Sequence, residues 1–175
     1  MIAGLGSTAW DVTAAGDRPL NFPLWGAMGG AAMVGLGLAL AQPDRRVLVI
    51  TGDGELLMGL GSLATVAVQR PGNFALVVFD NERYGETGMQ PTHTAHGVDL
   101  AAVARACGFR TTGTLREQRE VEAALPAIRT APGPVLYVAK VRAEPLPFAL
   151  PPRDGALLKD RFRHALLGPS ATAEG

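Results

Sequence analysis

At 175 residues and 47% hydrophobic content, the chain can bury one full core, which excludes disorder as a description of most of it. Its formal net charge is zero, from 16 basic and 16 acidic residues, which argues against nucleic acid or an anionic membrane surface as the main partner. A single cysteine, Cys107, excludes an intrachain disulfide and a cysteine-built metal cluster, and makes the cytoplasm the simplest compartment.

The opening "MIAGLGS" reads as the end of a strand, with no basic lead into an apolar run and so no signal peptide. Between Arg18 and Asp44 there is no charge at all. This segment invites a membrane-spanning reading, with Gly26 and Gly30 in G-x-x-x-G register. Pro19 and Pro23 break its first part, however, and the rest is Gly and Ala more than Leu and Ile. What remains is a helix of about a dozen residues, too short to span and suited to burial under a sheet. No membrane partner is expected.

"RVLVI" (46–50) and "FALVVF" (74–79) are continuous apolar runs, the pattern of strands buried on both faces of a parallel sheet. Between them, "ELLMGLGSLATVAVQR" is apolar at helical spacing and ends at Pro71-Gly72, which predicts one crossover helix over 55–69. "VDLAAVARACGF" predicts a helix closed by Gly108, "RTTGTL" a short strand or turn, "REQREVEAALPAIRTA" a helix and "GPVLYVAKV" a strand. After Val141 the chain turns Pro-rich, then offers an amphipathic helix in "ALLKDRFRHALLG" and a tail expected to fray. The alternation predicts an α/β fold, a three-layer doubly wound, mainly parallel sheet over residues 1–145, with 146–175 as a Pro-rich C-terminal extension carrying a short helix.

In such a sheet the ligand crevice lies beyond the carboxyl ends of the strands. There the sequence places Gly52-Asp53-Gly54 and, after 26 further residues, Asn81. A right-handed crossover brings both tips to one edge, with neighbouring strands about 4.8 Å apart. A carboxylate and an amide oxygen on adjacent tips are hard ligands that suit magnesium, whose ligand distances are about 2.1 Å and which keeps positions for water and phosphate oxygens. Gly52 and Gly54 allow a diphosphate to approach the backbone, and the N–H groups of Gly54 and Glu55 open the next helix.

A lone Gly-Asp-Gly is an ordinary turn. After a buried strand, and at this spacing from "FDNERYG", it resembles the thiamine-diphosphate motif. "WGAMGGAAMVGLGLALAQPDRRV" is likewise similar to the segment preceding that motif in thiamine-diphosphate-dependent 2-oxo acid decarboxylases. The likeness spans roughly residues 20–140. It is nearest the diphosphate-binding (PP) domain of sulfopyruvate and phosphonopyruvate decarboxylases, the former having it as a small β subunit.

The resemblance implies thiamine diphosphate and Mg²⁺ as cofactors. Asp53 and Asn81 would hold the metal by their side chains and Arg83 by its backbone carbonyl. Gly54 and Glu55 would bind diphosphate oxygens, with Tyr84 and Gly85 closing over the same group. Met28 would hold the cofactor's bent shape, and the Gly26 carbonyl would accept from its 4′-amino group. Two positions depart from the family's usual residues. Glu55 stands where Ser or Ala is common, and is expected to cap the helix or meet a cation such as Arg83. Arg83 itself is large and charged where small residues prevail.

The family also needs a glutamate to protonate the aminopyrimidine ring, carried on a separate pyrimidine-binding (PYR) domain that this sequence lacks. The resemblance therefore implies a small subunit completed by a PYR-domain partner in an α₂β₂ assembly, acting on a small 2-oxo acid. His93 and His96 follow the metal loop in "GMQPTHTAHG". His93 is the candidate catalytic proton donor, since histidine is the side-chain type whose charge changes near neutral pH. Two rival readings stay open: the β subunit of a thiamine-dependent 2-oxo acid oxidoreductase, against which the lack of a cysteine set counts, and a non-catalytic cofactor-binding module.

Overall fold

A computed structural model describes residues 1–144 and 146–172. Its strands are β1 (Ile2–Ala3), β2 (Phe22–Pro23), β3 (Val47–Gly52), β4 (Phe74–Asp80), β5 (Arg83–Tyr84), β6 (Gln90–Pro91), β7 (Thr111–Leu115) and β8 (Val135–Lys140). Its α-helices are α1 (Ser7–Ala14), α2 (Ala31–Ala41), α3 (Asp53–Met58), α4 (Ser62–Gln69), α5 (Leu100–Cys107), α6 (Gln118–Thr130) and α7 (Gly155–Leu167). Six strands form one sheet in the order β2-β1-β3-β4-β8-β7, every pair parallel. Helices α2, α4 and α5 contribute to the core on one face, around Val49, Phe74, Leu76 and Leu136. On the other face α6 packs over Ala75, Val77 and Val135, and α1 over Ala3 and Ile50. This is the three-layer doubly wound sheet that the apolar runs predict.

Connections leave β1 toward β2 and return from β2 to β3, so the strand order reverses around β1 and β3. At such a reversal the flanking helices lie on opposite faces, and a crevice opens at the carboxyl ends of the strands. The β3–β4 register runs from Val47 opposite Phe74 to Gly52 opposite Phe79, so both strands deliver their tips to one level.

The predicted single helix over 55–69 is corrected to two, α3 and α4, parted at Gly59–Gly61. The cause is a backbone crossing: a Cβ on Gly29 would stand 2.7 Å from the Gly59 nitrogen. A continuous helix would close off the space through which the turn before α2 passes. Helix α2 approaches β3 just as tightly, because a Cβ on Gly35 would collide with Val49 and lie 3.2 Å from Phe74. Helix α5 follows expectation. Asp99 accepts from Ala102 N–H at 2.9 Å at its start, and Gly108, at φ 108°, ends it.

Two elements escape the pattern. Helix α1 starts without a side-chain cap, from Gly6 at φ 78°, and β2 is two residues long. The Pro-rich extension packs back onto the domain. Phe148 meets Trp10 edge-on at 4.5 Å, the Pro152 carbonyl accepts from Trp25 Nε1 at 2.8 Å, and Arg161 pairs with Asp17 at 2.6 Å. Trp25 thus packs against the extension, with Arg153 5.7 Å over its ring. Residues 173–175, the last of the tail, lie outside the described residues. No helix among the described residues is long and apolar enough to cross a membrane.

Candidate functional site

Asp53 follows directly on β3 and opens α3, and its residue is only 1% exposed. Its Oδ2 accepts from Thr92 Oγ1 at 2.5 Å and lies 3.1 Å from Thr94 Oγ1. Thr94 Oγ1 is also 2.8 Å from Oδ1 of Asp80, the last residue of β4. Asp80 is buried too, but Lys140 Nζ stands 2.9 Å from its Oδ2 and also meets Glu82. Burial works against the Lys140 charge, yet its bonds to Glu82 and Asp80 prevail and hold its pKa above the ordinary lysine value.

No ion pair to Asp53 occurs among the described residues. Burial pushes its carboxyl above the ordinary aspartate value. The Thr92 hydroxyl opposes that, the Asp80 charge adds to it, and Thr94 and the Gly54 N–H oppose it again. A buried carboxylate with hydroxyl partners and no counter-charge favours a cation beside it.

The other two expected metal ligands lie on the adjacent tip. Asn81, half-buried, follows β4, and its Oδ1 accepts from Arg83 N–H at 2.9 Å. Arg83 and Pro91 face each other in the β5–β6 hairpin. The flanking Thr92 N–H goes to the Glu82 carbonyl at 3.0 Å, and Pro91 has no N–H to give. In this register the Arg83 carbonyl points away from β6 and takes no bond from it. One carboxylate, one amide oxygen and one backbone carbonyl make a hard-oxygen donor set that fits Mg²⁺. No group of three or more His, Cys, Asp or Glu side chains among the described residues could hold a metal, so a cation in this crevice depends on such mixed donors.

Gly54 lies under the ring of Tyr84: a Cβ on it would stand 2.6 Å from Tyr84 Cε1. Gly85 is exposed and opens the short turn Gly85–Thr87. Helix α3 has six residues, so attraction for an anion here rests on the local N–H groups of Gly54 and Glu55 rather than on a long helix dipole. The turn carrying Gly26 and Met28 is sharply bent, with Ala27 at φ 63° and Gly29 at φ 86°. Met28 is 38% exposed and Gly26 is exposed, both open to a ligand.

Glu55 is where the residues correct the expectation. Its side chain is buried and caps neither its own helix nor Arg83. Oε1 accepts from Ala31 N–H at 3.0 Å, at the start of α2, and Oε2 accepts from the Thr51 hydroxyl on β3. It thereby ties the turn bearing Met28 to the Gly-Asp-Gly tip. The Arg83 guanidinium instead donates to the Glu82 carbonyl at 2.9 Å.

The loop after β5 crosses the mouth of the crevice, and the Glu86 carboxyl carbon lies 3.4 Å from where a Cβ on Gly6 would stand, at the β1 end. His93 and His96 are both exposed on the 3₁₀ segment His93–His96, while Thr92 and Thr94 turn inward. The histidines drew notice in the sequence because their chemistry is conspicuous. The threonines carried no comparable signal beyond their alternation in "PTHT".

Residues 6–139 match the family described as thiamine pyrophosphate enzyme, C-terminal TPP binding domain. The chain is 43% identical over 114 residues to sulfopyruvate decarboxylase subunit beta of Methanocaldococcus jannaschii, covering 65% of this chain and 60% of that one. It is 42% identical over 142 residues to phosphonopyruvate decarboxylase of Streptomyces hygroscopicus, covering 81% of this chain and 35% of that one. It thus spans less than two thirds of either relative. Among solved structures, benzoylformate decarboxylase from Polynucleobacter necessarius superposes with a TM-score of 0.69 at 20% identity, over 85% of this chain and 31% of that chain, a likeness of fold. The Gly-Asp-Gly tip, the Asn81 loop and the match over residues 6–139 agree: the chain belongs to the thiamine pyrophosphate enzymes, as their C-terminal TPP binding domain.

Proposed function

We propose that this chain is the diphosphate-binding subunit of a thiamine-diphosphate- and Mg²⁺-dependent 2-oxo acid decarboxylase or carboligase, completed by a separate PYR-domain subunit in an α₂β₂ assembly. The observation that carries the reading is Asp53: a buried carboxylate without a cationic partner among the described residues, at a strand tip beside Asn81 and the carbonyl of Arg83 that faces away from β6. These three would hold the metal. The N–H groups of Gly54 and Glu55, with Tyr84 and Gly85, would hold the diphosphate. Gly26 and Met28 would hold the ring portion. When bound, thiamine diphosphate supplies the nucleophilic carbon and the electron sink that loss of CO₂ from a 2-oxo acid requires.

The chain's own residues support the need for a partner. Glu55 is the one buried glutamate among the described residues, and its carboxylate is committed to Ala31 and Thr51. Both of its oxygens already accept buried hydrogen bonds, which counts against it as the proton relay to an aminopyrimidine ring. The M. jannaschii relative is named a subunit beta, which supports a two-chain enzyme here. His93, exposed on the 3₁₀ segment His93–His96, would be the residue that delivers a proton toward a site closed by a second subunit.

The test is cofactor retention by the chain together with a PYR-type partner, measured by calorimetry with and without Mg²⁺. Asp53→Ala and Asn81→Ala are each expected to abolish Mg²⁺-dependent retention while the fold survives, since both residues stand at strand ends. Near-normal binding by either variant refutes the metal assignment.

A further inference from the structure

Two buried carboxylates, Asp53 and Asp80, face one pair of threonine hydroxyls in this crevice. Four oxygen–oxygen contacts link them: Thr92 to Asp53 at 2.5 Å, Thr94 to Asp53 at 3.1 Å, Thr94 to Asp80 at 2.8 Å, and Thr92 to Thr94 at 2.9 Å. Each hydroxyl has one proton to give. The shortest contacts assign the Thr92 proton to Asp53 Oδ2 and the Thr94 proton to Asp80 Oδ1. All four residues are at most 7% exposed, so water does not substitute for these bonds. The polar chain continues through Asp80 Oδ2 to Lys140 and Glu82.

This arrangement has two consequences. The loop from Gly85 to Val98 is tied to the sheet from its own middle, by hydroxyls on both sides of His93. The carboxylate of Asp53 is also held by one oxygen, Oδ2, which leaves Oδ1 free of both threonines. Asp80 is equally buried but already neutralised by Lys140, so the uncompensated charge belongs to Asp53.

We propose that Thr92 and Thr94 are positioning residues, a hydroxyl clip that anchors the 85–98 loop to the strand tips and fixes which oxygen of Asp53 is presented to the cation, while Lys140 keeps Asp80 from competing for it. The loop-anchoring half stands on the contacts alone. The ligand-orienting half rests on the reading of Asp53 as a metal ligand.

The experiment uses the full chain and two readouts. In the first, amide hydrogen exchange is followed without metal at Thr92, Ala95, Gly97 and Val98, whose N–H groups bond within this loop or to Glu82. The Thr92→Val/Thr94→Val chain is expected to exchange at least about 10-fold faster at these amides, the scale of losing hydrogen bonds to charged acceptors, with β4 amides unchanged. The Thr92→Ser/Thr94→Ser chain, which keeps both hydroxyls, is expected to restore the wild-type pattern. Unchanged exchange in the valine chain, or failure of serine to restore it, overturns the clip.

The second readout is Mn²⁺ binding, followed by electron paramagnetic resonance. Thr92→Val, which removes the hydroxyl that donates to Asp53, is expected to weaken Mn²⁺ about 10-fold and Asp53→Asn to abolish its binding. Wild-type affinity in Thr92→Val, with Asp53→Asn inert, overturns the orienting role alone. Equal binding by wild type and Asp53→Asn, or none by either, overturns the metal reading and the orienting half with it. The exchange readout still decides the anchoring half.

Discussion

Replacing Glu55 by alanine tests whether the crevice is built from the strand tips outward. The substitution removes the acceptor of two buried donors, the Ala31 N–H at the start of α2 and the Thr51 hydroxyl. Thr51 is fully buried, and a Cβ on Gly4 would already stand 2.6 Å from its Oγ1, so the hydroxyl has no water to turn to. Each orphaned buried donor costs about 1–3 kcal/mol. Loss of a buried carboxylate that has no nearby cation offsets part of this, and the cavity left behind adds to it. The net expectation is a loss of about 3 kcal/mol, which for a chain of this size lowers Tm by about 6–12 °C. Glu55→Gln keeps an acceptor for Ala31 and can donate to the Thr51 oxygen, so it should cost about 1 kcal/mol. Urea denaturation measures both, and hydrogen exchange locates the effect, with faster exchange expected at 30–34, the start of α2, in the alanine variant. An alanine variant within about 0.5 kcal/mol of wild type, or a glutamine variant as damaged as alanine, would refute the reasoning.

Three further outcomes are expected. In the assembled enzyme His93→Ala should lower turnover about 10²-fold or more with little change in cofactor affinity, while His96→Ala should be nearly silent; steady-state kinetics beside calorimetry checks both. The chain without a PYR-type partner should turn over no 2-oxo acid, and robust CO₂ release by the purified single chain would contradict the two-subunit reading. Within α2, Gly37→Ala should stabilise by about 0.5–1 kcal/mol, since the new methyl meets nothing within 4 Å, whereas Gly35→Ala should destabilise by about 1–3 kcal/mol against Val49 and Phe74. Thermal denaturation of the two variants should move in opposite directions.

The apolar runs 46–50 and 74–79 determined the parallel sheet, because a strand buried on both faces has to be apolar throughout. The position of Gly-Asp-Gly after the first run, and of Asn81 after the second, located the crevice, because strand ends are where such a sheet binds its ligand. Those features are local in sequence and survive without knowledge of what packs where. Helix α1 was not legible, since nothing caps its start and its eight residues carry weak amphipathic character. The break at Gly59 was not legible either, because its cause is Gly29, thirty residues away, passing against its backbone. Likewise, only the tertiary structure decided the fates of Glu55, Thr92 and Thr94. The carboxylate beside the cofactor motif reaches the start of α2 and the Thr51 hydroxyl on β3, and two unremarkable hydroxyls reach the buried carboxylates of Asp53, just after β3, and Asp80, at the end of β4. A side chain's partner depends on which distant backbone or side-chain groups the fold leaves unpaired nearby, and that is settled only when the layers close.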